Sequence, residues 1–313
     1  MSVLFYYDAD DSGYWLEALR CAGPEFDFVH PDPAAAKCMA GDPAVEAAVA
    51  WAPPAGLLDS FPNLACICSL GAGIDHLVPD GCWPRAPVVR LVDPSIARRM
   101  AGYVLTAVYR FHYRFDLYEA QQRGRVWREH TPPEATNLRI GVMGLGALGR
   151  HVAEVLRDHG YTVAGWSRSA KAIDGVETYA DHGDLDLFLR RSDVLVCLLP
   201  LTEETRGILG AETFARLPEG AAVISIGRGE HLDPAALLAA LDTGKLRGAV
   251  LDTFETEPLP VDSPLWQHER VLVTPHVAGV CGIDAAARRI VATLRQARAG
   301  EPLEHVVQPQ RGY

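Results

Sequence analysis

The chain has 313 residues, of which 49% are apolar and 22% charged, as in ordinary globular proteins long enough for two domains. The net charge of −11, without any basic run, argues against nucleic acid or an anionic membrane surface as the main partner. No apolar stretch reaches the length of a membrane span, and the seven scattered cysteines are expected to be small core thiols in a reducing compartment.

The first hundred residues alternate short apolar runs with helical patterns. The first run begins at Val3 without a signal-peptide pattern, so we expect a cytoplasmic protein. The alternation predicts a parallel α/β layer. A long helix is predicted over roughly 95–122, and the polar, proline-bearing segment 123–137 is interpreted as an arm or connector. The predicted strands cover residues 3–7, 26–29, 47–51, 64–70 and 88–92.

From residue 138 the alternation starts again and predicts a second doubly wound unit. The fold class is therefore α/β with two parallel-sheet domains. Helices are predicted at 147–158 and 234–242, and an amphipathic helix is predicted at 283–299. The predicted strands cover residues 138–143, 161–166, 193–199, 221–226, 248–252 and 271–274.

A glycine-rich turn joins the predicted strand at 138–143 to the following helix. In this pattern Gly144 permits a tight turn, Gly146 lets the backbone approach a pyrophosphate, and Gly149 lets the helix pack on the strand. The free N–H groups of the helix N-terminus would bind the anion. Because the motif lies between a strand and a helix, we predict a dinucleotide-binding loop here.

The end of the next strand predicts which dinucleotide is bound. An NAD-specific site places a carboxylate there for the ribose hydroxyls, whereas this chain has Ser167, Arg168 and Ser169, with Lys171 just beyond. An arginine and hydroxyl groups would bind a 2′-phosphate that a carboxylate would repel. The sequence therefore favours NADP(H); NAD(H) is the alternative if this turn is only a solvated polar loop.

Three side chains suited to acid–base chemistry follow three predicted strands of the second unit. Arg228, Glu257 and His276 each come a few residues after an apolar run, and parallel sheets bind ligands outside the carboxyl ends of their strands. Arg228 would bind a carboxylate or carbonyl oxygen through a forked pair of hydrogen bonds. His276 would protonate a carbonyl oxygen, and Glu257 would orient and stabilise the protonated imidazole. The trio indicates reduction of a 2-keto acid by hydride transfer, and no HExxH-type metal spacing accompanies it.

Several longer motifs resemble those of the D-2-hydroxyacid dehydrogenase family. They are the glycine loop, Gly-Arg-Gly at 227–229, Leu-Asp-Thr-Phe-Glu-Thr-Glu-Pro-Leu at 251–259 and Thr-Pro-His-Val-Ala-Gly at 274–279. Further segments are similar to the glyoxylate/hydroxypyruvate reductase A branch of that family. These are residues 69–77, 165–169, 263–268 and the terminal Arg-Gly-Tyr. The resemblance covers nearly the whole chain.

The resemblance implies a flavodoxin-like substrate domain, formed by residues 1–101 and 283–313, and a Rossmann cofactor domain at residues 102–282. Substrate would bind in the cleft between them, and the first domain would close to exclude water. The resemblance also implies a homodimer built mainly on the cofactor domains, for which Trp127 and the 123–137 arm are candidate contacts.

The resemblance also assigns individual residues. Arg228, Glu257 and His276 occupy the catalytic positions, and Arg228 and His276 also contact the substrate. Asp252 would accept a hydrogen bond from the nicotinamide carboxamide. The other implied substrate-binding residues are Trp51, Ala72 and Gly73. The other implied cofactor-binding residues are Met100, Ala147, Leu148, Leu199, Pro200, Ile226 and Gly227.

We therefore expect an NADP-dependent reductase of glyoxylate, hydroxypyruvate or a related 2-keto acid. The alternative from another class is an NAD(P)H-sensing, corepressor-like protein of the same fold without significant turnover. The intact trio and the acidic composition favour catalysis. A formate dehydrogenase fits less well, because a protonated base has no role in removing hydride from formate.

Overall fold

Two parallel sheets organise the chain in the computed structural model, which describes residues 1–78 and 82–308. Their strands are β1 (Ser2–Tyr6), β2 (Asp27–Val29), β3 (Val45–Ala50), β4 (Ile67–Ser69), β5 (Val88–Val89), β6 (Arg139–Met143), β7 (Thr162–Ser167), β8 (Glu177–Ala180), β9 (Val194–Cys197), β10 (Ala221–Ser225), β11 (Leu246–Leu251) and β12 (Val271–Val273).

The helices of the described chain surround these sheets. They are α1 (Ser12–Ala22), α2 (Pro33–Cys38), α3 (Pro94–His112), α4 (Phe115–Gly124), α5 (Ala147–Asp158), α6 (Leu185–Arg190), α7 (Ala211–Arg216), α8 (Pro234–Asp242) and α9 (Ile283–Ala299). Within residues 1–78 and 82–308, none of them has both the length and the apolar character that crossing a membrane requires.

The chain divides into two compact units. One contains Met1–Ser95 and the C-terminal segment from Cys281, and the other contains Ile96–Val280. With one parallel sheet in each unit, the predicted fold class is confirmed. The Arg-Gly-Tyr motif at 311–313 lies outside the described residues.

The first unit has the strand order β2-β1-β3-β4-β5, which is the order of flavodoxin-like sheets. Its middle strands are buried on both faces, and Phe5 and Val49 are both fully inaccessible to solvent. Strands buried in this way read as continuous apolar runs, which is why they could be predicted. The order of the strands reverses between β1 and β3, so a ligand is expected near the residues that follow β3.

The second unit has the order β12-β11-β10-β9-β6-β7-β8. Counted from β6, this is the Rossmann order extended by one strand. The order reverses between β6 and β9, which pair in parallel with Val142 opposite Val196. Dinucleotides bind at such a reversal point, and the glycine loop directly follows β6. The strands β10, β11 and β12, which precede the catalytic candidates, lie next to one another.

Two elements differ from the sequence prediction. The helix predicted over 95–122 is two helices, because Arg114 adopts the left-handed conformation (φ = 62°) between α3 and α4. No glycine or proline marks this break in the sequence. Strand β8 was not predicted at all, because it is a short edge strand with polar, partly exposed residues instead of an apolar run.

Candidate active site

The glycine loop after β6 has the geometry of a phosphate-binding turn. Gly144 lies at φ = +100°, and a Cβ atom there would stand 2.9 Å from the carbonyl oxygen of Leu198. Gly146 is exposed and has open space around it, whereas a side chain at Gly149 would collide with the Gly144 carbonyl. Helix α5 begins at Ala147, so its first N–H groups, including that of Leu148, have no acceptor within the helix and can bind an anion.

The end of β7 presents cationic and hydroxyl groups, as the sequence indicates. Arg168 and Ser169 are exposed, while Ser167 is 7% exposed and its hydroxyl donates to the Ser169 carbonyl at 2.9 Å. Sequence reasoning missed Asp181, which follows the unpredicted strand β8. Its N–H donates to the Ser167 carbonyl at 3.1 Å, and its carboxylate accepts from the N–H of Gly183 at 2.9 Å. Ser167 therefore stabilises the turn through its hydroxyl. The Asp181 carboxylate forms a hydrogen bond within its own loop.

The carboxyl ends of β9 and β10 form the neighbouring part of the same sheet edge. Leu199 and Ile226 are 7% and 4% exposed. The backbones of Leu199 and Gly227 approach so closely that a Cβ atom at Gly227 would stand 3.1 Å from the Leu199 carbonyl. The Pro200 carbonyl accepts from the Thr205 hydroxyl at 2.8 Å. The four residues predicted to cover the adenosine and the nicotinamide ribose thus lie side by side next to the glycine loop.

His276 and Glu257 form a hydrogen-bonded pair after β12 and β11. The Nδ1 atom of His276 lies 2.9 Å from Oε2 of Glu257, and the two side chains are 35% and 37% exposed. The other carboxylate oxygen, Oε1, accepts from the N–H of Phe254 at 2.9 Å. With Nδ1 used in this way, Nε2 is the ring nitrogen that remains for exchange of a proton with a ligand.

The pKa of Glu257 is lowered despite its burial. Burial by itself would raise this pKa, but the hydrogen bonds from His276 and from the Phe254 N–H lower it, as do the charges of His276 and Arg228. The carboxylate therefore stays ionised beside the imidazole. The charge of Arg228, which follows the neighbouring strand β10, is one of the causes that lower this pKa.

The backbone around His276 is held in an unusual conformation. His276 lies at φ = 52°, in the left-handed region, and its N–H donates to the Asp252 carbonyl at 2.8 Å. The Asp252 carboxylate is buried (1% exposed) and accepts three further hydrogen bonds. They come from the Thr274 hydroxyl at 2.6 Å and the N–H groups of Val277 and Ala278, both at 2.9 Å. These bonds keep a strained histidine backbone in one conformation.

Tyr103 extends this network, and sequence reasoning had missed both Tyr103 and Thr274. The two hydroxyl oxygens are 2.6 Å apart, and burial raises the pKa of Tyr103 to about 12. Met100, one turn earlier in α3, is 8% exposed and packs against Gly279. Asp252 therefore supports the histidine loop in the protein itself, and its predicted hydrogen bond to the nicotinamide carboxamide stays a prediction, as does the contact predicted for Met100.

Arg228 lies at the start of a short 3₁₀ helix, Gly229–His231. A Cβ atom at Gly229 would collide with the backbone of Phe254 and Glu255, so this glycine lets the loops of Arg228 and Glu257 touch directly. The Arg228 guanidinium donates back to the Gly227 carbonyl at 2.8 Å. This close packing places the loop that carries Arg228 against the loop that carries Glu257.

The substrate-binding candidates of the first unit are clustered within that unit. Trp51 directly follows β3 and stacks on His76, with ring centroids 3.8 Å apart. A Cβ atom at Gly71 would stand 2.8 Å from the indole. The Ser69 hydroxyl donates to the Gly73 carbonyl at 3.1 Å and accepts from the Gly71 N–H at 3.1 Å. Ala72 lies inside this ordered turn; the substrate contacts of Trp51, Ala72 and Gly73 stay predictions.

We also searched the described residues for side chains that could hold a metal ion. Among residues 1–78 and 82–308, no three His, Cys, Asp or Glu side chains come together in a potential metal site.

Comparisons with known proteins agree with the motifs. The profile of the D-isomer specific 2-hydroxyacid dehydrogenase NAD binding domain matches residues 105–278. A curated relative, glyoxylate/hydroxypyruvate reductase A of Salmonella newport (strain SL254), is 38% identical over 319 aligned positions that cover 100% of both chains.

Solved structures give the same result. The D-isomer specific 2-hydroxyacid dehydrogenase of Xanthobacter autotrophicus Py2, in complex with NADPH and MES, is 42% identical with a TM-score of 0.90, covering 100% of this chain and 99% of that chain. The NADPH-dependent glyoxylate/hydroxypyruvate reductase of Sinorhizobium meliloti, in complex with NADP and sulfate, is 36% identical with a TM-score of 0.91 and the same coverage. These similarities confirm the resemblance that the motifs predicted.

Proposed function

The chain belongs to the D-isomer specific 2-hydroxyacid dehydrogenase family, and we propose that it reduces small 2-keto acids, such as glyoxylate or hydroxypyruvate, with NADPH. The observation that carries this proposal is the 2.9 Å pair of His276 and Glu257 beside Arg228, on the same sheet edge as the glycine loop. A protein that only sensed the dinucleotide would not need an acid–base pair at this edge.

The roles of the catalytic residues follow from their atoms. Arg228 binds the carboxylate or carbonyl oxygen of the keto acid through its planar guanidinium. His276 donates the proton on Nε2 to the carbonyl oxygen, which becomes the hydroxyl of the product. Glu257 accepts from Nδ1, keeps the ring oriented and stabilises its protonated form until the proton leaves. When bound, the reduced nicotinamide supplies the hydride that the keto carbon receives.

The residues present fit a dinucleotide. The positive φ of Gly144, the open backbone at Gly146 and the start of α5 form the cradle that a pyrophosphate needs. We assign unit Ile96–Val280 as the dinucleotide-binding domain on this basis. Leu199, Pro200, Ile226 and Gly227 would line the nucleosides, as predicted.

The choice of NADP(H) over NAD(H) is supported by the end of β7. The exposed Arg168 and Ser169, and Lys171 just beyond, supply charge and hydrogen bonds to a 2′-phosphate. Two related solved proteins contain NADPH or NADP. We propose NADP(H) as the preferred coenzyme and NAD(H) as a weaker one.

We assign the other unit, Met1–Ser95 with the segment from Cys281, as the substrate domain. Ala72 and Gly73 would bind the substrate carboxylate through backbone N–H groups, and Trp51 would contact the substrate side chain. These three residues lie where that sheet is expected to bind ligands: Ala72 and Gly73 follow β4, and Trp51 follows β3 at the reversal of strand order.

We also propose a homodimer that uses α4 and the 123–137 arm. Every residue of α4 is at least partly exposed, and large apolar side chains crowd this region. Phe115 is 57% exposed, Val126 is 53% exposed and Trp127 is completely exposed. Apolar surface of this extent is typical of an interface. The proposed location is the cytoplasm, since all seven cysteines are free thiols, as in reducing compartments.

The dimer proposal is tested by Trp127→Glu, which places a charge in the proposed interface. The wild type should sediment as a dimer in analytical ultracentrifugation, and the variant should dissociate at micromolar concentration. Tyr14→Glu is the control, because Tyr14 is also exposed (69%) but lies in the other unit. A monomeric wild type, or equal dissociation of both variants, would refute the assignment.

The function is tested with a panel of 2-keto acids and both coenzymes, followed by the loss of absorbance of the reduced nicotinamide. Glyoxylate, hydroxypyruvate, pyruvate and phenylpyruvate cover small and large side chains. We expect turnover with NADPH and one of the small acids. Tight binding of NADPH without turnover of any acid would favour the sensing protein over the enzyme.

A further inference from the structure

His231 is a completely buried histidine that directly contacts the loop of Arg228. Its side chain is 0% exposed, and it lies three residues after Arg228, at the end of the 3₁₀ helix. The Nδ1 atom accepts a hydrogen bond from the backbone N–H of Arg228 at 3.0 Å. The Nε2 atom lies 3.3 Å from the carbonyl oxygen of Pro200. A carbonyl only accepts, so Nε2 is the donor in this contact and the ring has its proton there.

The imidazole of His231 also contacts the backbone at Gly227. A Cβ atom at Gly227 would stand 2.7 Å from Nδ1 of His231, so the imidazole packs directly on the Gly227 backbone. The same short helix is tied to the loop after β9 by two backbone hydrogen bonds of 2.8 Å. They run from Gly207 N–H to the Glu230 carbonyl and from Leu209 N–H to the His231 carbonyl. His231 is therefore the side chain at which the end of β9 and the loop of Arg228 meet.

We propose that His231 is a positioning residue that sets the orientation of Arg228 for the keto acid. The inference rests on the proposed function, because it requires Arg228 to bind the substrate. Without an acceptor at Nδ1, the partly buried N–H of Arg228 loses the partner that His231 provides, and the backbone rotates to find another. The guanidinium then leaves the position next to the Glu257–His276 pair. The bond to Pro200 anchors the ring against the residue proposed to cover the coenzyme.

A role in packing alone makes a different prediction, and three substitutions separate the two. In His231→Asn the amide oxygen can take the place of Nδ1 and accept from the Arg228 N–H. In His231→Gln the amide reaches the place of Nε2, so it keeps the bond to Pro200 but loses the acceptor near Arg228. His231→Phe fills the space of the ring and makes neither bond. If His231 only filled space, the Phe and Gln variants should keep KM for the keto acid closer to the wild-type value than the smaller Asn variant.

The readout is the split between KM for the keto acid, KM for NADPH and kcat. Loss of one buried hydrogen bond corresponds to about a tenfold change in an equilibrium constant, so KM for the keto acid should rise about tenfold in the Gln and Phe variants. The Asn variant should restore it to within about threefold of the wild type. KM for NADPH should change less than KM for the keto acid in all three, because the glycine loop is untouched.

A double-substitution cycle with Arg228→Lys tests whether His231 acts through the arginine. If it does, adding His231→Gln to Arg228→Lys should raise KM for the keto acid no further. Full additivity, or equal effects of the Asn and Gln variants, would overturn the inference. Circular dichroism checks folding; if the Phe variant does not fold, the Asn–Gln comparison decides. A wild type without turnover counts against the proposed function, whereas an active wild type with an unchanged Gln variant counts against His231 alone.

Discussion

Two hydrogen-bonded ion pairs lie at opposite ends of the seven-stranded sheet. At the amino ends of β6 and β9, Arg139 forms a fork with Asp193, with N–O distances of 2.9 and 2.6 Å. At the carboxyl ends of β11 and β12, His276 contacts Glu257 at 2.9 Å. The side chains are similarly exposed, at 42% and 26% in the first pair and 35% and 37% in the second.

The pairs differ in what their protons can do. The hydrogen bond to Asp193 raises the pKa of Arg139, so this guanidinium keeps its proton and the pair only joins two strands. In the other pair the partner of the carboxylate is an imidazole, whose Nε2 atom can give a proton to a ligand and take one back. The comparison teaches that a close ion pair alone does not indicate catalysis. Catalysis is indicated when such a pair also has an exchangeable proton at the ligand-binding edge of the sheet.

The largest expected effect separates the two pairs directly. His276→Ala should reduce kcat by at least about a hundredfold, the usual scale of lost general acid catalysis. NADPH binding should survive, because His276 is not assigned to the phosphates. The control is Asp193→Asn at the other end of the sheet, which should lower the free energy of unfolding by about 1 kcal/mol and leave kcat nearly unchanged. Steady-state kinetics and thermal melts of both variants measure the difference; equal losses of kcat would contradict it.

Arg228→Lys should give the next largest effect. An ammonium cannot form the planar fork, so KM for the keto acid should rise by roughly ten- to a hundredfold, while NADPH affinity stays close to that of the wild type. Titration of NADPH fluorescence gives the coenzyme affinity, and initial rates give KM. Wild-type kinetics in this variant would remove Arg228 from the substrate site.

Glu257→Gln should change the pH dependence on the acid side. The pKa of Glu257 in the folded protein is lowered, so its contribution to stability is present above its value in the unfolded chain, about 4.3, and is lost as pH falls through the lowered value. Wild-type kcat/KM should therefore persist as pH falls through the ordinary glutamate range. The Gln variant should lose roughly tenfold in kcat at neutral pH and should lack this titration. A wild-type acid limb at or above the ordinary glutamate pKa would contradict the lowered value.

Arg168→Ala should have the smallest effect and should leave the acid–base pair untouched. The ratio of kcat/KM for NADPH to that for NADH should fall by about tenfold, because a charge-assisted contact to the 2′-phosphate is removed. Activity with NADH should barely change. Arg190→Ala, which removes an exposed arginine from α6 of the same unit, is the control. An unchanged coenzyme ratio would show that Arg168 does not select NADPH.

The parts that could be predicted from the sequence are those with a strong local signal. Strands such as β6 and β9 are buried on both faces and read as apolar runs, and the bounds of α5, α8 and α9 agree with the predicted 147–158, 234–242 and 283–299. The glycine loop could be interpreted because each of its glycines meets a separate steric demand. The contact between Glu257 and His276 could be predicted because the adjacent parallel strands β11 and β12 end at one edge.

The parts that could not be predicted depend on contacts between distant segments. Tyr103 and Thr274 are 171 residues apart, and only the fold shows that their hydroxyls meet beside Asp252. His231 is an unremarkable residue in the sequence, and its role depends on the position of the Pro200 carbonyl. The left-handed conformation at Arg114 could not be predicted, because a glycine would normally indicate it and none is present; the break between α3 and α4 was therefore missed.

A crystal structure with NADPH and the substrate analogue oxamate measures the central geometry most directly. The amide carbonyl oxygen of oxamate, which takes the place of the keto oxygen of the substrate, should lie about 2.6–3.2 Å from Nε2 of His276. The Arg228 guanidinium should contact the same ligand, and Glu257 should keep its bond to Nδ1. Oxamate bound beyond hydrogen-bonding reach of His276, with Nε2 directed away from the ligand, would contradict the assignment of the His276–Glu257 pair as the proton donor.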